Sequence, residues 1–233
     1  MNARALVCAV AAAAAALLAL TAAPAGRATN ECHGITSCIR VVGPWVVVPP
    51  HRTVQYLLSC PAGRGVVGGL DAQATSRAVR VSFDGRIGAP VSPGVTTTRY
   101  ALFSAVSTSQ STEAFQPRLG CVPTTGGGGR STVSARPAVT PAGPALELRS
   151  RIVVIGPGSV QFGRVACLPE EELVGSWSAV AFRTKNPPDL ANAALVTAAK
   201  VIVGRRVVVT ASATDQLSID AHAIVQVGAE CAP

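Results

Sequence analysis

The chain has 233 residues, 20 basic and 12 acidic, giving a formal charge of +8, and 48% of it is apolar. Charged residues are only 14%, against about 25% in a typical soluble domain. That excludes a disordered charged tail, which is charge-rich and apolar-poor, and a coiled coil, which needs Glu, Lys and Leu at heptad spacing.

Residues 1–25 read as a secretory signal peptide. Arg4 supplies the positive start, Leu6 to Ala23 is an apolar run without charge, and Ala23-Pro24-Ala25 fits the small-x-small cleavage pattern. A retained membrane anchor is the alternative, since the run is near the roughly 20 residues that span a bilayer. Its alanine content and the cleavage pattern favour removal, which takes Cys8 with it. No later stretch is long and apolar enough to cross a membrane. The expected product is secreted or extracellular, released or held at the cell wall by what it binds.

The first unit is expected over 26–121, opening with a small loop closed by Cys32 and Cys38. Strand candidates follow at 44–49, 53–60, 65–73, 77–83, 97–107 and 114–121. Thr53 to Cys60 alternates, with Val54, Tyr56, Leu58 and Cys60 on one face, the period of a half-buried strand. Residues 122–147 are rich in Gly, Pro, Ser and Thr, include Gly126 to Gly129, and read as a flexible linker that would let two units engage separate sites. In the second unit, 148–233, the candidates are 148–155, 173–183, 194–203, 206–213 and 221–231, with room for one helical turn in 190–200. Ala221, Ala223, Val225, Val227, Ala229 and Cys231 share an apolar face of the last strand; His222, Gln226 and Glu230 share the opposite, polar one.

The two units match each other in chain order. Val54-Gln55-Tyr56 matches Val160-Gln161-Phe162, Cys60 matches Cys167, Val67-Gly68-Gly69 matches Val174-Gly175-Ser176, and Cys121 matches Cys231. Six cysteines in an exported chain imply a disulfide framework. The duplication selects Cys60–Cys121 and Cys167–Cys231, leaving Cys32–Cys38. Phe162 stands one residue further from its cysteine than Tyr56 does, so a bulge near Gly163-Arg164 is expected to restore the facing of Cys167. The expected fold is all-β: two tandem antiparallel β-sandwich units of immunoglobulin-like type, each with an inter-sheet disulfide. Trp177 has no counterpart in the first unit and reads as ordinary packing.

Cys60-Pro61-Ala62-Gly63-Arg64-Gly65-Val66-Val67-Gly68-Gly69 resembles the C-P-A-G-x-x-V-x-G-G segment of uncharacterised secreted repeat proteins of high-GC Gram-positive bacteria. The resemblance covers about 60 residues of the first unit; the second departs from it, reading Cys167-Leu168-Pro169-Glu170-Glu171-Glu172. It implies an exported location and a disulfide-closed repeat, and no mechanism. Physically, Pro61-Ala62-Gly63 is a turn, and Gly68-Gly69 marks a bulge or a close backbone approach.

No nucleophile stands beside a base at a recognisable spacing, and His33, His51 and His222 lack partners identifiable from sequence. The chain is therefore read as a non-enzymatic binding or structural protein without metal or cofactor. The competing reading is a secreted hydrolase using carboxylates at Glu170, Glu171 and Glu172, although adjacent carboxylates after Leu168-Pro169 suit a solvated turn. The positive charge is uneven: residues 26–121 carry +5, 122–150 carry +2 and 151–233 are neutral. Arg77, Arg80, Arg86 and Arg99 are the candidate anion-binding residues, since arginine forks suit phosphate and carboxylate, set against arginines scattered for solubility. An anionic cell-envelope polymer or a surface protein is the candidate partner. Nucleic acid is not expected, because aromatics are few.

Overall fold

A computed structural model describes residues 39–61, 65–84, 99–122 and 146–233. The proposed signal peptide, Cys32–Cys38, Gly126 to Gly129 and Arg86 lie outside them. The first half holds strands β1 Ile39–Val42, β2 Trp45–Val48, β3 Thr53–Ser59, β4 Val66–Ala74, β5 Val79–Asp84, β6 Tyr100–Ser107 and β7 Glu113–Val122. The second holds β8 Glu147–Val154, β9 Val160–Ala166, β10 Glu172–Phe182, β11 Val196–Val203, β12 Arg206–Ala213 and β13 Ala223–Ala232. The helical turn is a 3-10 segment, Leu190–Leu195, started by Asp189, whose carboxylate accepts from the Ala191 N–H. The molecule is all-β, every strand pairing being antiparallel.

One pairing pattern occurs twice. In the first half β7 lies between β4 and β2, and β6 between β3 and β5; in the second β13 lies between β10 and β8, and β12 between β9 and β11. The two triplets β4-β7-β2 and β10-β13-β8 then join edge to edge, because β2 pairs with β10 through Val46↔Ala181 and Trp45↔Phe182. With β1 continuing beside β7, strands from both halves share one seven-stranded sheet. This pairing holds the halves against one another, so they are not separately tethered bodies.

Strand parity decides which face each half covers. Val46, Val48, Ala179, Ala181 and Ile224 pack with Tyr56, Phe103 and Ala105 of the β3-β6-β5 sheet. Val47, Phe182, Val225 and Val227 point the other way and pack with Val207, Val209 and Ala211 of the β11-β12-β9 sheet. The shared sheet is thus sandwiched in its middle, which explains why Ala223 to Ala229 are all buried although the sequence alternates. The polar face expected on the last strand is corrected at Gln226, which is 1% exposed because the first half covers it, while His222 is exposed and Glu230 half-buried.

Each half is closed by its disulfide, Cys60–Cys121 with a Cα–Cα distance of 5.8 Å and Cys167–Cys231 at 5.5 Å. Strand β4 skips a residue against β7 between Val67 and Gly69, as the glycine pair anticipates, and β10 skips one against β13 between Leu173 and Gly175, both opposite the late cysteine. The bulge expected at Gly163-Arg164 is absent: β9 pairs with β12 in continuous register from Val160 to Ala166. Cys167 faces inward because Gly163, not Phe162, takes the place of Tyr56, four residues before the cysteine. A Cβ on Gly163 would meet Val153 Cγ2 at 2.6 Å, so this face has no room for a side chain. Phe162 instead points outward and is 67% exposed.

Candidate binding surfaces and the buried junction

Arg77, Arg80 and Arg99 are exposed, but they do not form one patch. Strands β5 and β6 do pair, and the antiparallel register sets Arg80 opposite Val106 at the far end of β6 from Arg99. Seven residues of strand separate those positions by about 23 Å at the usual rise. The register brings Arg52 to the Arg77–Arg80 end instead: the Ser107 N–H donates to the Arg52 carbonyl, and Ser107 pairs with Val79. Arg52, Arg77 and Arg80 therefore share one end of the β3-β6-β5 sheet. Sequence reading passed over Arg52 because it follows the turn at Pro49-Pro50, about 90 Å of extended contour away from Arg80. Arg99 has a backbone role, its carbonyl accepting from the Cys60 N–H at 2.7 Å.

The glutamate run is a built turn. Glu171 accepts from both guanidinium nitrogens of Arg149 at 2.5 and 2.9 Å, and from the Leu168 N–H at 2.7 Å. These bonds hold its carboxyl below the usual carboxylate range, the Arg149 hydrogen bond being the larger cause. Both carboxylate oxygens are thus engaged in holding the turn onto β8. Ligand atoms of Cys167, Glu171 and Cys231 lie within 4.8 Å of one another, yet the two sulfurs are bonded to each other. No thiolate pair is offered to a metal there.

The main buried polar network stands at the junction of the halves. Strand β3 is an edge strand, and the N–H and C=O of Leu57 point away from β6. Gln226 closes them like a peptide group: its Oε1 accepts from the Leu57 N–H at 2.7 Å and its Nε2 donates to the Leu57 carbonyl at 2.9 Å. The same Oε1 accepts from the Trp177 indole N–H at 3.0 Å. Leu57, Leu102 and Trp177 pack around this group with Tyr100 and Leu148. Trp177 lies over Gly228, where any Cβ would fall inside the indole ring. Sequence reading had given Trp177 only a packing role; the available signal was Gly228, two residues along from a glutamine in an apolar strand. The corresponding donor of Trp45, by contrast, has no hydrogen-bond partner among the described residues.

The outer face of the β11-β12-β9 sheet is both apolar and basic. The registers align Phe162 with Thr210 and Ala199, Arg164 with Val208 and Val201, and Ala166 with Arg206 and Val203. Val160, Phe162, Val201 and Val203 are each more than half exposed, and no carboxylate stands among these positions. Compared with known proteins, the chain matches no family model, no curated sequence and no solved structure.

Proposed function

We propose that the chain is an exported, non-enzymatic structural and binding protein, built by duplication of one immunoglobulin-like sandwich unit and acting at or outside the cell surface. Two disulfide-closed halves locked into one sheet support the scaffold reading, since disulfides persist in oxidising compartments. Among the described residues no helix is long and apolar enough to cross a membrane. The segments at 1–25 and 122–147 serve as leader and linker in this reading. The resemblance of the Cys60 segment to secreted repeat proteins points the same way.

The contact we assign to an anionic envelope polymer is the arginine end of the first half. The observation that carries it is the placing of exposed Arg52, Arg77 and Arg80 at one end of the β3-β6-β5 sheet, none of them making an ion pair among the described residues. Guanidinium groups held on a strand end can grip successive phosphates or carboxylates. Co-sedimentation with insoluble cell envelope across a salt series tests it. Retention should fall as salt rises, because exposed charge contacts are screened, and should be lost in the triple variant Arg52→Ser, Arg77→Ser, Arg80→Ser. No retention at low salt, or retention unchanged in the triple variant, overturns the assignment.

A further inference from the structure

The two halves are related by a definite operation, and the operation is not closed. Strands β4, β7 and β2 run opposite to β10, β13 and β8 at corresponding places, and the flanking sheets lie on opposite faces. Reversal of strand direction with reversal of face, while the order across the sheet is kept, is a half-turn about an axis crossing the strands. The half-turn is combined with a shift of three strands, about 14 Å at the usual inter-strand spacing. Among the described residues such a screw leaves two different edges without a further strand, β4 at one end and β8 at the other.

Those edges hold the places that are joined at the middle. Val46 pairs with Phe115 and Val153 with Val225, each partner six residues before its late cysteine, so β8 stands where β2 stands. Trp45 and Val47 of β2 are 1% and 7% exposed at the internal seam, whereas Ile152 and Val154, in the same places on β8, are 39% and 64% exposed. Gln116 stands where Gln226 stands, five residues before the late cysteine, and is likewise buried. The strand position that Gln226 caps, Leu57, corresponds to Arg164, three residues before the early cysteine in each half.

We propose that this chain associates head to tail with further copies of itself, the β8–β9 end of one copy seating on the β4–β7 end of the next. The chemistry of the contact changes in step on both sides. At the internal junction Leu57, Leu102 and Tyr100 meet Trp177. In the corresponding places the external junction sets Arg164, Val208 and Arg206 against Asp71, which β4 pairs with Arg118 as β10 pairs Trp177 with Gly228. An apolar trio against an indole is replaced by two guanidinium groups against a carboxylate whose side chain is 59% exposed. Arg118 and Asp71 are 3.8 Å apart, a separation that leaves the carboxylate oxygens accessible to a second arginine. Because the contact surfaces differ and the operation does not return on itself, the product is an open chain of copies.

Sedimentation velocity on the purified chain alone, over a concentration series at low salt, tests this without any envelope material. The weight-average sedimentation coefficient should climb with concentration without a plateau. Asp71→Arg and Arg164→Glu should each abolish the climb, and the double variant carrying both should recover it, since the pair is reversed in sign. Both positions are exposed, and unchanged circular dichroism confirms the fold. Val154→Lys, which charges the β8 edge at a place without Asp71 or Arg164, should also leave a monomer. A monomer at every concentration overturns the proposal. So does a dimer that plateaus, or association that survives both single charge reversals. Binding to envelope by Arg52, Arg77 and Arg80 would be untouched by any of these results.

Discussion

Gln226 carries the most at the scale of single residues. Replacing it with alanine strips the Leu57 N–H, the Leu57 carbonyl and the Trp177 N–H of their partner in a buried place. Each buried polar group left unpaired costs about 1–3 kcal/mol, so Gln226→Ala should lower unfolding stability by about 3–5 kcal/mol. Gln226→Glu should cost at least as much, because a carboxylate oxygen would face the Leu57 carbonyl. Urea unfolding of both variants reads this directly. Glu171 gives the pH counterpart. Its carboxyl is held low in the folded state by Arg149 and the Leu168 N–H, so its contribution is present above the unfolded carboxylate value, about 4.3. That contribution is lost as pH falls through the lower folded value. Glu171→Gln should therefore be less stable than the natural chain at neutral pH, with the gap closing on acidification. A gap that stays constant with pH would contradict the ion-pair role. Glu171 was legible as a turn residue from its neighbours Leu168 and Pro169. The partnership with Arg149 was not, because it joins the start of β8 to the turn before β10.

Strand elements were legible wherever an alternating pattern ran for several residues, as in β3 and β13. The disulfide pairs were legible because cysteine spacing is shared by the two halves. The facing of β9 was misread for a physical reason. Similar letters, Val-Gln-Tyr and Val-Gln-Phe, sit one residue out of step, and a one-residue slip turns every side chain to the opposite face. The correct match of Tyr56 is Gly163, which no letter comparison favours. Gly163→Ala should drive a methyl against Val153, and Val209 Cγ1 at 3.1 Å leaves no retreat. Overpacking of this kind costs about 1–3 kcal/mol, measurable as a fall in the unfolding midpoint. The β1 strand escaped sequence reading because Ile39–Val42 is short and exposed in three of its four positions. It forms by pairing with Cys121 to Arg118 of β7, a partner remote in sequence.

For the whole molecule, the joined sheet makes cooperativity a testable property. The seam, the Gln226 group and the core shared by Tyr56, Ala181 and Ile224 link the halves. A protease site placed within Gly126 to Gly129 and cleaved should leave two fragments that co-elute under native conditions, and that separate only in denaturant. Separation in buffer would show the halves to be independent. Reduction should act on both halves at once: each disulfide closes a loop of about 60 residues, so losing one should cost about 4 kcal/mol. A single cysteine-pair deletion, Cys167→Ser with Cys231→Ser, should lower the midpoint of one shared transition and produce no second one. What the sequence concealed at this scale was the joining itself. Strand edges carry backbone groups common to every residue, so nothing in Trp45-Val46 or Ala181-Phe182 names its partner.

The seam between β2 and β10 is held by two residue pairs, whereas β10 and β13 are matched over nearly their whole lengths. Under tension this contrast makes the molecule a graded fastener. Within each half the load meets long ladders and a covalent staple, so the halves resist extension. The short seam, backed by the Gln226 group and the shared core, is the expected first point of yielding, each half staying shut behind its own staple.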